Sequence, residues 1–151
     1  MSFKKIIVAL DSDDLNKTIK LVRSLKKEVY AFKIGYQFFF NFGLTGYKKI
    51  YSICPKIFLD LKLHDIPNTV SSAIESLKNI NPDFLTLHIS GGEEMLKSAL
   101  KNIKKFNLKT KVLGVTLLTS LDGKDSKKIY GEKDTNKLIK KLAIIASNAK
   151  I

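Results

Sequence analysis

Short apolar runs alternate with amphipathic stretches along this chain, and no other feature limits its possible folds as much. Ile6-Ile7-Val8-Ala9-Leu10-Asp11 is β-branched, apolar and closed by a carboxylate, the pattern of a buried parallel strand. Asp13 or Asp14 can then cap a helix through about Lys27. In it Leu15, Ile19, Val22 and Leu25 recur at helical spacing while Lys17, Lys20 and Lys26 face water. A second strand, Val29 to Gly35, precedes helical material through Ile53 that Gly43 and Gly46 interrupt. A third, Phe58 to Leu63, leads to a helix from about Asn68 to Asn79. Asp83 to Ile89 is the fourth, after which Ser90-Gly91-Gly92-Glu93 turns into a helix ending near Phe106. The fifth runs from Thr110 to Ser120, and a polar loop through about Asp134 separates it from a last helix, Thr135 to Asn148. Strands and helices in this succession specify a parallel sheet with right-handed crossovers.

At 151 residues and 44% hydrophobic content, the chain is long and apolar enough for one domain with a core. Cys54 stands alone, which excludes an internal disulfide. The run Ile6–Leu10 is too short for a signal peptide, and no stretch approaches the roughly 18 apolar residues of a membrane helix. A soluble protein of the reducing cytoplasm is expected, with no membrane partner. The formal charge of +13 raises the question of nucleic acid. Arg23 is the lone arginine among 27 basic residues, and the lysines are scattered over every helical segment instead of forming a stripe with interleaved aromatics. Arginine is the residue favoured for gripping phosphate and reading bases. The excess therefore reads as a solvated lysine surface, and no nucleic-acid partner is expected.

Residues 58–70 concentrate the chemistry. Alternation along a strand puts Asp60 and Lys62 on one face and Leu59, Leu61 and Leu63 on the other. Asp65 adds a third charge just before a Pro67-Asn68-Thr69 helix start. By spacing alone this is either an active site or a surface strand with an Asp/Lys pair. Lys33, in the otherwise apolar second strand, needs a carboxylate nearby if buried, and Asp11 and Asp60 are the candidates. Asp11, Lys33, Asp60 and Lys62 all fall at strand C-terminal ends, the catalytic face of a (β/α)8 barrel.

Asp60-Leu61-Lys62-Leu63-His64-Asp65-Ile66-Pro67-Asn68-Thr69 resembles the D-x-K-x-x-D-I-x-x-T signature of the orotidine 5′-phosphate decarboxylase family. The similarity extends over nearly the whole chain, including Val8-Ala9-Leu10-Asp11, Phe32-Lys33-Ile34-Gly35 and Leu118-Thr119-Ser120. His88-Ile89-Ser90-Gly91-Gly92 is similar to the family's H-A-S-G-G, with Ile89 where alanine is usual, a departure expected to alter packing more than chemistry. The resemblance implies a TIM-barrel α/β fold. It implies a ribose contact for Asp11, catalytic roles for Lys62, Asp60 and Lys33, and a pyrimidine contact for Thr119. Asp65, Ile66 and Thr69 would reach into the site of a neighbouring subunit, making the enzyme a homodimer.

The implied reaction converts orotidine 5′-phosphate to UMP and CO2 without a cofactor or metal. Loss of CO2 leaves a poorly delocalised carbanion at C6, for which a fixed cation is the natural stabiliser. Lys62 would hold that position and then donate the proton. Asp60, the partner's aspartate and Lys33 would complete an alternating chain of charges. Five βα units against eight imply a single barrel domain, residues 1–151, about three units short: a truncated product, a fragment or an incomplete reading frame. The family's phosphate-gripping loops follow strands seven and eight, so the 151-residue chain alone is expected to be poorly active. Two alternatives remain open: a Mg²⁺-dependent sugar-phosphate enzyme of the same superfamily, and a non-catalytic partial barrel held by self-association. Lys33 would repel a metal ion in the first. His64 and His88 read as structural residues, Ser90-Gly91-Gly92 lacks a full phosphate-loop pattern, and Phe38–Phe40 reads as core or dimer interface.

Overall fold

The structure, a computed structural model, describes residues 5–151. Its strands are β1 (Ile7–Ala9), β2 (Ala31–Ile34), β3 (Ile57–Leu63), β4 (Phe84–His88) and β5 (Lys111–Val115). Its α-helices are α1 (Leu15–Leu25), α2 (Tyr36–Ile53), α3 (Pro67–Ser76), α4 (Gly92–Lys105), α5 (Gly123–Tyr130) and α6 (Thr135–Asn148). The strands form one sheet in the order β1-β2-β3-β4-β5, so each βα unit adds its strand beside the previous one. Parallel registers pair Ala9 with Lys33 and Lys33 with Phe58.

Two compact units divide the chain, with boundaries inside β3, β4 and β5. The first takes residues up to Leu61 together with Asn79–Leu85 and Lys109–Lys111. Its buried side chains include Leu10, Val22, Phe32, Ile34, Phe38, Ile57 and Leu59. Asp14 caps α1 by accepting the amides of Asn16 and Lys17. Tyr47 is fully buried and its hydroxyl donates to the Ile80 carbonyl at 2.9 Å, and burial raises its pKa far above the ordinary tyrosine value. The second unit takes Lys62–Lys78, Thr86–Leu108 and Val112–Ile151. In it α3 packs on α4, where the Ser71 and Ser98 hydroxyls share a hydrogen bond of 2.5 Å, and α6 packs on α4 and α5.

Several boundaries differ from the sequence expectation. Of the two glycines expected to break α2, only Gly43 leaves the helix (φ 53°, ψ −150°). Gly46 is there for closeness, since a Cβ at it would collide with Phe42 and press on the Phe38 ring. Strand β1 is not the buried strand its composition suggests: it lies at one end of the sheet order, and Ile7 and Ala9 are exposed. Strand β5 stops at Val115, five residues early, and Leu118–Leu121 is a turn closed by the Leu121 amide on the Leu118 carbonyl. The polar segment expected to be loop contains α5. Its apolar stripe is weak, but Asp122 and Asp125 form a reciprocal capping box and Gly131 closes it in the left-handed conformation (φ 74°).

Ile89 is packed against β5. It is fully buried, and its side chain lies over Gly114 of β5 so closely that a Cβ there would collide with it. Gly114→Ala is expected to destabilise the chain by about 1–3 kcal/mol through overpacking. In an Ile89→Ala background the same change should cost less, giving a favourable coupling in a double-mutant cycle read by urea unfolding. Additive effects would show that the two residues are independent.

Candidate active site

In the first unit, β2 and β3 bring Lys33 and Asp60 together. The Lys33 ammonium lies 3.4 Å from Asp60 Oδ2, and Asp60 is only 7% exposed. A carboxylate this deep needs a partner, and of the two candidate pairs the one with Asp60 forms. Asp11 is at the C-terminal end of β1, one residue past Leu10, whose amide donates to the Lys33 carbonyl at 2.9 Å. Its carboxylate lies against the backbone of Gly35, where an added Cβ would stand 3.3 Å from Oδ1. The Tyr36 hydroxyl donates to the Leu61 carbonyl at 2.8 Å, tying the start of α2 to β3 directly after Asp60.

In the second unit, Lys62 occupies the left-handed region with φ 41°, a conformation costing a non-glycine residue about 1–3 kcal/mol. Its amide donates to Thr86 Oγ1 at 2.8 Å. The pleat is thus broken at the lysine, and the expected alternation weakens beyond Asp60: Leu59 is buried, whereas Leu61 and Leu63 are half-buried. His64 and His88 bring their rings to 5.1 Å, tilted by 36°. Gly91 leaves room for that pair, since a Cβ there would be 3.2 Å from His64 Cδ2 and would collide with Met95. Asp65, Ile66 and Thr69 are all exposed around the start of α3, with Ile66 at 65%. Thr119 is exposed in the turn after β5.

Sequence reasoning read His64 and His88 as structural residues without pairing them, and passed over Thr86. A lone hydroxyl inside Phe84-Leu85-Thr86-Leu87 was the available signal, because a buried hydroxyl must find a partner.

The family model described as "Orotidine 5′-phosphate decarboxylase / HUMPS family" matches residues 4–150. The chain belongs to this family. Orotidine 5′-phosphate decarboxylase of Wolbachia sp. subsp. Brugia malayi (strain TRS) is 48% identical over 120 residues, covering 80% of this chain and 52% of the relative. The enzyme of the same name from Buchnera aphidicola subsp. Baizongia pistaciae (strain Bp) is 45% identical over 141 residues, covering 93% and 60%. The chain therefore spans about half the length of the curated relatives it matches. Among solved structures, orotidine 5′-phosphate decarboxylase from Lactobacillus acidophilus superposes with a TM-score of 0.83 at 33% identity, covering 97% of this chain and 68% of that one. Orotidine 5′-monophosphate decarboxylase from Methanocaldococcus jannaschii gives 0.81 at 26%, covering 98% and 68%. The orotidine 5′-phosphate decarboxylase family signature D-x-K-x-x-D thus falls on the end of β3 and the segment leading to α3.

Burial foremost, then the His64 ring and the Lys62 charge, hold the His88 imidazole below its ordinary pKa of 6.5. A depressed histidine pKa favours the neutral form in the folded state. Its contribution to stability is complete above about pH 6.5 and is lost as pH falls toward the folded value. His88→Gln should therefore flatten the acid limb of stability between about pH 7 and pH 5, measured as urea midpoints against pH. An unchanged pH slope would show that His88 does not titrate in this range.

Proposed function

We propose that this chain carries the decarboxylation chemistry of orotidine 5′-phosphate decarboxylase, converting orotidine 5′-phosphate to UMP and CO2 in cytoplasmic pyrimidine synthesis. The pairing of half-buried Lys33 with buried Asp60, with Lys62 two residues further along β3, is the observation that carries the reading. Breaking the bond from C6 to the carboxylate leaves its electron pair on C6. A fixed ammonium there offsets that charge as it develops, which accelerates the step because the interaction is stronger in the transition state than in the ground state. Lys62 is assigned this role and the subsequent proton transfer to C6. Asp60 is assigned to orient the reacting lysine, and Lys33 compensates the buried carboxylate.

Asp11 is assigned to the ribose and Thr119 to the pyrimidine. Asp65, Ile66 and Thr69 are assigned to the site of a second subunit in a homodimer. Exposure of that whole segment, with an isoleucine in it two-thirds exposed, supports the assignment. A Methanocaldococcus jannaschii neighbour that is 26% identical was solved with the inhibitor BMP, which supports a small-molecule ligand for this chain. The metal-dependent branch of the superfamily is disfavoured because the Lys33 ammonium stands where it would oppose a divalent ion at Asp60. A second reading, a partial barrel that persists by association, draws on the exposed apolar residues Ile6 and Ile7 at β1 and Leu113 in β5.

The test is release of CO2 from carboxyl-labelled orotidine 5′-phosphate by the purified chain, with Lys62→Ala and added chelator in parallel. Release that chelator leaves intact and Lys62→Ala lowers by about 10³-fold is expected. Release that survives Lys62→Ala, or that chelator abolishes, would contradict the proposal. A folded chain with no release and a large assembly size in solution would favour the second reading.

A further inference from the structure

Resting on the reading of Lys62 as the reacting cation, we propose that Thr86 is the positioning residue that aims it. A non-glycine backbone at φ 41° persists only where its surroundings over-determine it. Thr86 supplies such a restraint by accepting the Lys62 amide on its hydroxyl at 2.8 Å. In a regular parallel ladder a strand amide is taken by a neighbouring carbonyl, which every residue type provides. At Lys62 a side chain takes that place, so the direction in which the lysine leaves the backbone depends on which residue stands at position 86.

Threonine suits the task. Thr86 is 5% exposed and sits between the fully buried Leu85 and Leu87, so water cannot replace its hydroxyl at little cost. Branching at Cβ restricts χ1, which helps keep the oxygen on the strand-facing side. The restraint acts on the backbone of the lysine, at the opposite end of the side chain from its ammonium. Thr86 thus acts through Lys62 and is assigned no contact with the reacting atoms.

Thr86→Val preserves shape and removes the acceptor, whereas Thr86→Ser keeps the acceptor. Three readouts separate positioning from a merely structural role: hydrogen exchange of the Lys62 amide, the Lys62 Nζ titration followed by NMR, and kcat against KM for orotidine 5′-phosphate. In Thr86→Val the Lys62 amide should exchange about tenfold faster than in the unsubstituted chain. Its Nζ titration should shift, and kcat should fall about tenfold with KM within about twofold, since misplacement by 1 Å can cost roughly 10²-fold. Thr86→Ser should restore all three. An unchanged Lys62 amide and Nζ titration in Thr86→Val, or a serine variant as impaired as the valine one, would overturn the proposal. Absence of turnover in the unsubstituted chain would count against the functional reading alone, and exchange and titration would then decide the role of Thr86.

Discussion

A carboxylate buried in an apolar strand is the constraint on which the rest of this structure depends. Asp60 follows Leu59 into the interior of the sheet, where an unpaired charge would cost several kcal/mol. Lys33 pairs with it from the adjacent strand, in the register observed. With Lys33 opposite Phe58 and Ile34 opposite Leu59, the Lys33 side chain reaches Asp60. A slip of one residue would turn Lys33 to the opposite face and break this pair. The ion pair therefore specifies the register of β2 on β3, and β1 inherits its place through Ala9 opposite Lys33. Fold and candidate chemistry share one interaction here, so Asp60 cannot be neutralised without consequences for both.

Much of this was legible because the signals were periodic or chemically costly. Apolar runs located all five strands, charge at the ends of the first three marked the candidate site, and an N-cap aspartate with 3.6-residue spacing located α1. Lys33 predicted its own need for a carboxylate. The D-x-K-x-x-D stretch left an active site and a surface strand both open by spacing alone, and its resemblance to the family signature, with the matching motifs on either side, carried the family. Strand β1 was misread as buried because composition reports only what a residue prefers to contact; neighbours on both sides of the strand decide whether it does. Helix α5 was missed for the opposite reason: its stability draws on caps at Asp122, Asp125 and Gly131 more than on an apolar stripe. The conformation of Lys62 had no sequence signal, because a positive φ at lysine opposes the residue's own preference and is imposed from outside.

Substitutions at neighbouring sites are coupled in ways that a list of motif residues conceals. Ile89 replaces a small residue in the H-A-S-G-G pattern, and glycine at position 114 leaves the space the larger side chain occupies. Gly91 leaves the space in which the His64 and His88 rings meet. In each case a position without a side chain sits beside one that needs room, and the polar groups of the candidate site are set by packing two or three residues away. Thr86 extends the same logic to the lysine itself.

The central claim is that Lys62 stands at the carbon that loses CO2. Its most direct test is the position of bound UMP relative to Lys62 in a crystal of the complex. The account predicts C6 of the pyrimidine about 3–3.5 Å from Lys62 Nζ. A nucleotide bound elsewhere, or bound with Lys62 turned away from C6, would contradict it.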